Sequence, residues 1–184
     1  MTGSGVGRVL TVGGLFFGVA LIVGLRSPGP PDPRREPQAH ASQARATEVR
    51  SRFDAAVLML HARQFDHAVT ALHRVLELEP RLPEAHVNMG YALLGLQQHV
   101  AARDFFNGAI ELAPGQANAY HGLALAWEGL GDLRMAIGAM RSYLHLARDE
   151  RDVHLRRARA ALWEWETQLR PQQLQSQSQP QPQR

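Results

Sequence analysis

Nine histidines, seventeen carboxylates and no cysteine set the limits on what chemistry this chain of 184 residues can do. The lack of cysteine excludes disulfides, thiolate zinc sites, thiol nucleophiles and covalent haem attachment together. Two histidines grip a metal from one helical face when they stand three or four residues apart, and no two of the nine do. His61 and His67 also fall on either side of a break in the apolar pattern, so the histidines read as surface or helix-packing side chains. The pairs Glu77/Glu79 and Glu164/Glu166 are two apart and splay away from each other on a helix. Gly3, Gly5 and Gly7 neither follow a strand nor lead into a Lys-Ser/Thr, which rejects a phosphate loop. The sequence therefore offers no catalytic group, no cofactor site and no metal site, and it reads as a binding protein without enzymatic activity.

Charge narrows the class of partner. All 20 basic residues are arginine, so a net charge of only +3 lifts the isoelectric point to about 10.1. Between Val49 and Arg170, 14 arginines face 14 acids, and the excess lies in the flanks, where six arginines face three acids. A neutral central region lacks the basic footprint of a phosphate binder, which argues against nucleic acid.

Three flanking segments follow from composition. Residues 1–26 contain an uncharged run from Val9 to Leu25, bracketed by Arg8 and Arg26. Its 17 residues are at the short end of the roughly 17–25 that span a bilayer. A cleaved signal peptide is the competing reading, but the Ala39-His40-Ala41 site lies too far downstream. A buried globular helix is disfavoured by Gly13, Gly14, Gly18 and Gly24. The expectation is one N-terminal transmembrane helix contacting the lipid bilayer through residues 9–25. Residues 27–47 form a spacer whose prolines, from Pro28 to Pro37, favour an extended polyproline conformation over helix or sheet. Residues 171–184 are almost entirely Gln, Ser and Pro and are expected to be a disordered tail.

The central region repeats itself. Segments 49–82, 83–116 and 117–150 align at a period of 34 without a gap. Their eighth residues are Ala56, Gly90 and Ala124, their twentieth Ala68, Ala102 and Ala136, and their twenty-fourth Leu72, Phe106 and Met140. Apolar residues recur at helical spacing on both sides of a mid-repeat break at Ala62-Arg63-Gln64, Leu96-Gln97-Gln98 and Gly129-Leu130-Gly131-Asp132. Small side chains at positions eight and twenty would let two antiparallel helices cross closely, with the larger residues filling the space around the contact. A last helix over 152–169 carries Leu155, Ala158, Leu162, Trp165 and Leu169 on one face and would cap the open stack. Trp163 lies off that face and is a candidate secondary contact point.

These features resemble the tetratricopeptide repeat (TPR) family, most closely in Asn88-Met89-Gly90-Tyr91-Ala92 and on through Ala102, Phe106, Ala109 and Leu112 to Pro114. The third repeat departs from the pattern, with Tyr143 in place of a small residue and Arg148 in place of proline. The resemblance implies an all-α solenoid of three helix-turn-helix repeats plus the capping helix, together a TPR domain over 48–170. It further implies that the first helix of each repeat lines a concave groove. On the matching positions that groove holds Phe53, Val57, Val87, Asn88, Tyr91, Leu94, Asn118, His121, Leu125 and Glu128. The lysine, arginine and asparagine clamp by which some TPR domains grip a chaperone's C-terminal carboxylate is not present. Asn88 matches one of its positions, but Phe53, Val57, Asn118 and Gly122 stand at others.

An apolar groove suits an amphipathic helix or an extended segment with aliphatic anchors. The expected function is a membrane-tethered scaffold that binds a client protein during assembly or maturation of a membrane or periplasmic complex. Single-anchor TPR proteins of cytochrome c maturation are similarly organised. A structural alternative is self-association into a membrane-tethered oligomer. The arginine-only basic set suggests a bacterium, hence an inner membrane. The family resemblance favours a periplasmic repeat domain, although positive-inside counting opposes it.

Overall fold

A computed structural model describes residues 35–147 and 152–177. Among these residues there are seven helices and no strand: α1 Arg35–His61, α2 Phe65–Leu78, α3 Pro83–Gly95, α4 His99–Leu112, α5 Ala117–Gly129, α6 Leu133–Leu146 and α7 Asp152–Gln177. Each helix packs on the next, so α1–α2, α3–α4 and α5–α6 form three hairpins and α7 lies against α6.

The mid-repeat breaks have one backbone solution. Arg63, Gln97 and Gly131, all at position fifteen, adopt left-handed φ values of 59°, 60° and 79°. After each, the next amide reaches back five residues: Gln64 N–H to Met59 O, Gln98 N–H to Leu93 O and Asp132 N–H to Trp127 O. This Schellman pattern satisfies the last carbonyls of the first helix and aims the second helix back along it. Asp132 then caps α6 by accepting from the Met135 amide at 3.1 Å, whereas Gln64 and Gln98 make no such side-chain bond.

The core follows the small positions. Ala56, Ala68, Ala102, Ala124 and Ala136 are fully buried, as is Phe106. A methyl group added to Gly90 would sit 2.7 Å from the Phe106 ring, and one added to Gly122 only 2.1 Å from it. The bulkiest residue at position twenty-four is therefore clamped between the backbones of α3 and α5. A second device joins neighbouring repeats. Phe65 presses on the Gly95 backbone and His99 on that of Gly129, at the same two register positions one repeat apart.

Curvature can be read from which helices meet. α1 approaches α3 and α3 approaches α5, whereas among the described residues α2 does not approach α4, nor α4 α6. First helices crowd one side, so that side is the inner one.

Two boundaries differ from expectation. α1 begins at Arg35, inside the stretch 27–47 expected to be extended. Its only proline, Pro37, sits in the first turn, where the missing N–H has no helical acceptor, and the alanine-rich Gln38–Ala46 that follows is a good helix former. α7 continues to Gln177, past the boundary expected at 170. Gln and Leu there favour helix although the composition cannot bury a core, and Pro171 leaves the Thr167 carbonyl without its helical donor. The capping face is as expected. Ala158, Trp165 and Leu169 are buried, with Leu155 and Leu162 packed beside them. The expected membrane helix at residues 9–25 lies outside the described residues. Among those described, no helix is long and apolar enough to cross a membrane.

Candidate protein-binding groove

The inner side of the stack is built from α1, α3 and α5, and the expected groove residues fall on these helices. Phe53 and Val57 on α1, Asn88, Tyr91 and Leu94 on α3, and His121 and Leu125 on α5 are half-buried, as is Leu60 beside them. Asn118 and Glu128 are exposed. Val87 corrects the expectation, because at 5% exposure it belongs to the core and offers no wall to a partner.

The centre of the row is held by polar contacts. The Tyr91 hydroxyl donates to the Asn118 carbonyl at 3.0 Å and lies 3.1 Å from His121 Nδ1. With its one proton committed to that carbonyl, the phenol oxygen accepts from His121 in the Nδ1–H tautomer. The Tyr91 ring meets Phe106 edge-on with centroids 5.1 Å apart, and the His121 ring lies 5.0 Å from that of buried Tyr143. Tyr91 thus serves both packing and surface, and it fixes α3 to α5 at the middle of the row.

The two ends differ. At the C-terminal end, Glu128 accepts from Trp165 Nε1 of α7 at 2.9 Å, so this chain's own capping helix engages the last residue of the row. At the N-terminal end opens a cleft of about 700 Å³, lined by Arg45, Ala46, Val49, Phe53, Leu82 and Glu84 among others. The early part of α1 forms one wall, and Arg45 is fixed there by donating to the Leu78 carbonyl. Sequence reasoning missed this cleft because it treated residues up to 47 as spacer. The alanine-rich, proline-free stretch after Pro37 was the available signal. Trp163 stands apart from the row, 68% exposed on α7. Among the described residues no cluster of three His, Asp or Glu is placed to hold a metal ion.

Comparison with known proteins agrees with this architecture. Residues 59–127 match a family model described as tetratricopeptide repeat. None of the curated protein sequences matches the chain. Among solved structures, the first TPR of Spaghetti (RPAP3), bound to the HSP90 peptide SRMEEVD, is 19% identical with a TM-score of 0.56, over 63% of this chain and 94% of that one. The second TPR domain of human RPAP3, in complex with the HSP70 peptide SGPTIEEVD, is 18% identical with a TM-score of 0.59, over 66% of this chain and 98% of that one. The Yersinia enterocolitica type III secretion translocator chaperone SycD is 11% identical with a TM-score of 0.62, over 65% of this chain and 84% of that one. Identities this low establish shared fold. Residues 59–127 thus match the tetratricopeptide repeat model, and the described helices form an all-α solenoid that shares its fold with these structures.

Proposed function

We propose that this chain is an adaptor that holds a segment of a client protein along the inner face of its repeat array. One observation carries the reading. Phe53, Val57, Leu60, Leu94 and Leu125 remain part-exposed on the helices that crowd the inner side. Apolar side chains left part-open to water on a curved stack, on either side of the Tyr91–Asn118–His121 contacts, are the kind of surface that partners use. The RPAP3 domains with this fold hold HSP90 and HSP70 peptides, and SycD is a chaperone of secretion translocators. The carboxylate clamp is missing here, so the favoured client is anchored by aliphatic side chains rather than by an acidic C-terminus.

Residues 9–25 would tether the array to a bacterial inner membrane, with the repeats on the periplasmic side. The work would be assembly or maturation of a membrane or periplasmic complex, as in cytochrome c biogenesis. The uncharged run between Arg8 and Arg26 supports the tether. Protease access to a C-terminal tag in spheroplasts tests the side.

The groove is tested by crosslinking in intact cells from a photoreactive residue at position 91 and, separately, by client pulldown with the Leu94→Asp and Tyr91→Ala variants. Client capture should fall in both while helicity is retained. Leu94→Asp is the cleaner variant, because Tyr91 also supports Phe106. Undiminished capture in Leu94→Asp refutes the inner-face reading. The exposed Trp163 favours self-association as a second reading, and a concentration series in light scattering distinguishes the two.

A further inference from the structure

The outer end of the array carries a charged recess that the inner-face reading does not use. A cleft of about 350 Å³ between α6 and the C-terminal half of α7 is lined by Arg134, Arg141, Arg170 and Glu166, with buried Ile137 and Leu169 at its base. Glu166 accepts from Arg141 Nη2 at 2.7 Å and so neutralises one guanidinium. Among the described residues no carboxylate pairs with Arg134 or Arg170. Helix α6 has no acidic residue to compensate them.

Helix geometry places more of the same chemistry beside the cleft. At 3.6 residues per turn, Arg159, Trp163, Glu166 and Arg170 share an arc of about 60° on α7. Trp165 points to the other side, to Glu128. Trp163 is 68% exposed where Trp165 is 2% exposed, so one tryptophan holds the cap in place and the other faces water on the arc that carries Arg159 and Arg170. Exposed tryptophan and arginine together are the composition of binding hot spots. The charge is local. Residues 45–79 hold five arginines against five acids, residues 80–132 hold two against five, and residues 133–170 hold eight against five.

We propose that this recess is a second docking site, for an acidic peptide segment whose carboxylates engage Arg134 and Arg170 while an apolar side chain packs on Trp163. Guanidinium forks recognise carboxylates in two-pronged geometry, and a recess of this size admits one or two side chains. A bilayer surface is the less fitting occupant, because the cations ring a concavity with a carboxylate facing into it rather than flank an apolar face.

The test uses the full-length chain in neutral detergent micelles, with fluorescein-labelled octaglutamate as probe, octaglutamine as control and anisotropy as readout. Octaglutamate should bind and octaglutamine should not, with affinity falling as salt rises. Arg134→Glu/Arg170→Glu should weaken binding at least tenfold, and the milder Arg134→Gln/Arg170→Gln should do so in part. Glu166→Gln releases Arg141 and should tighten binding several-fold, an effect that lost folding would not produce. Leu94→Asp should leave it unchanged, which separates this site from the inner groove. Equal affinity in wild type and the charge-reversed variant overturns the proposal, as does loss of binding in Leu94→Asp alone. Failure to bind octaglutamate overturns it too. In that event, charge-dependent sedimentation with phosphatidylserine vesicles would assign the patch to lipid, and charge-dependent self-association would assign it to a second copy of the chain.

Discussion

Gly122→Ala is a substitution on which helix propensity and packing predict opposite signs. Gly122 lies inside α5, where alanine is favoured over glycine by about 1 kcal/mol. Propensity alone therefore predicts stabilisation. The added methyl, however, would stand 2.1 Å from Phe106 Cζ and 2.2 Å from Cε1. Carbon atoms settle at about 3.5–4.0 Å, so the ring would have to retreat by more than 1 Å. It has no room to do so, since Phe106 is fully buried and the same ring edge already closes on Gly90.

Overpacking of this kind costs about 1–3 kcal/mol, and a clash this deep belongs at the upper end. Set against the propensity gain, a net loss of about 2 kcal/mol is expected. For a domain of this size that lowers Tm by about 6–10 °C. Thermal and urea unfolding followed by far-UV circular dichroism would measure it. The same substitution in a Phe106→Leu background supplies the control, because the smaller side chain vacates the volume the methyl needs. There Gly122→Ala should be neutral or stabilising. A raised Tm in the native background, or an equal loss in both backgrounds, refutes the clamp.

Four further outcomes rest on the turns and on one surface pair. Gln97→Gly should stabilise by about 1 kcal/mol in urea unfolding, since Gln97 holds φ at 60° where a Cβ is penalised, and Gly131→Ala should destabilise by a similar amount. Gln98→Asp should add about 1 kcal/mol by giving α4 the side-chain cap that Asp132 gives α6. The hydrogen bond from Arg74, aided by its charge, holds the Glu77 carboxyl below its ordinary range. That contribution is present above the unfolded carboxylate's pKa and lost as pH falls through the lower folded value. Glu77→Gln should therefore flatten the acid limb of a low-salt stability–pH profile, and an unchanged limb would dismiss the pair.

What could be read from sequence was whatever repeats. Position eight, position twenty and the mid-repeat break recur three times, and each landed on a buried crossing or a left-handed turn. The capping face was legible for the same reason, because period alone places Ala158, Trp165 and Leu169 together. Val87 shows where this stops. Its register matches Phe53 and His121, but exposure at one register position varies with how closely neighbouring helices pack, which no single residue encodes. The α1–α3 cleft was hidden by composition, since five prolines drew the boundary at 47 when only Pro37 enters the helix, in its harmless first turn. Trp165 and Glu128 lie 37 residues apart, outside any one repeat, and no local pattern pairs them.

The period also explains why the stack stops. Carried one step further, the 34-residue register places Ala158 at position eight, where it is buried like Ala56, Gly90 and Ala124. In this sense α7 is the first helix of a fourth repeat. The rest of the register then fails in a definite order. Position thirteen, glycine at Gly95 and Gly129 so that Phe65 and His99 can press in, becomes Trp163. Position fifteen, left-handed in all three repeats, becomes Trp165 within a continuing helix whose indole reaches back to Glu128. Position twenty, alanine three times over, becomes Arg170, which no closely crossing second helix could accommodate. Each change that forbids another hairpin also supplies a feature of the array's exposed end. Arg170 thus both breaks the register and lines the basic recess, and restoring Gly, a left-handed turn and Ala at those three positions would be expected to favour a further hairpin and to take that arginine out of the recess.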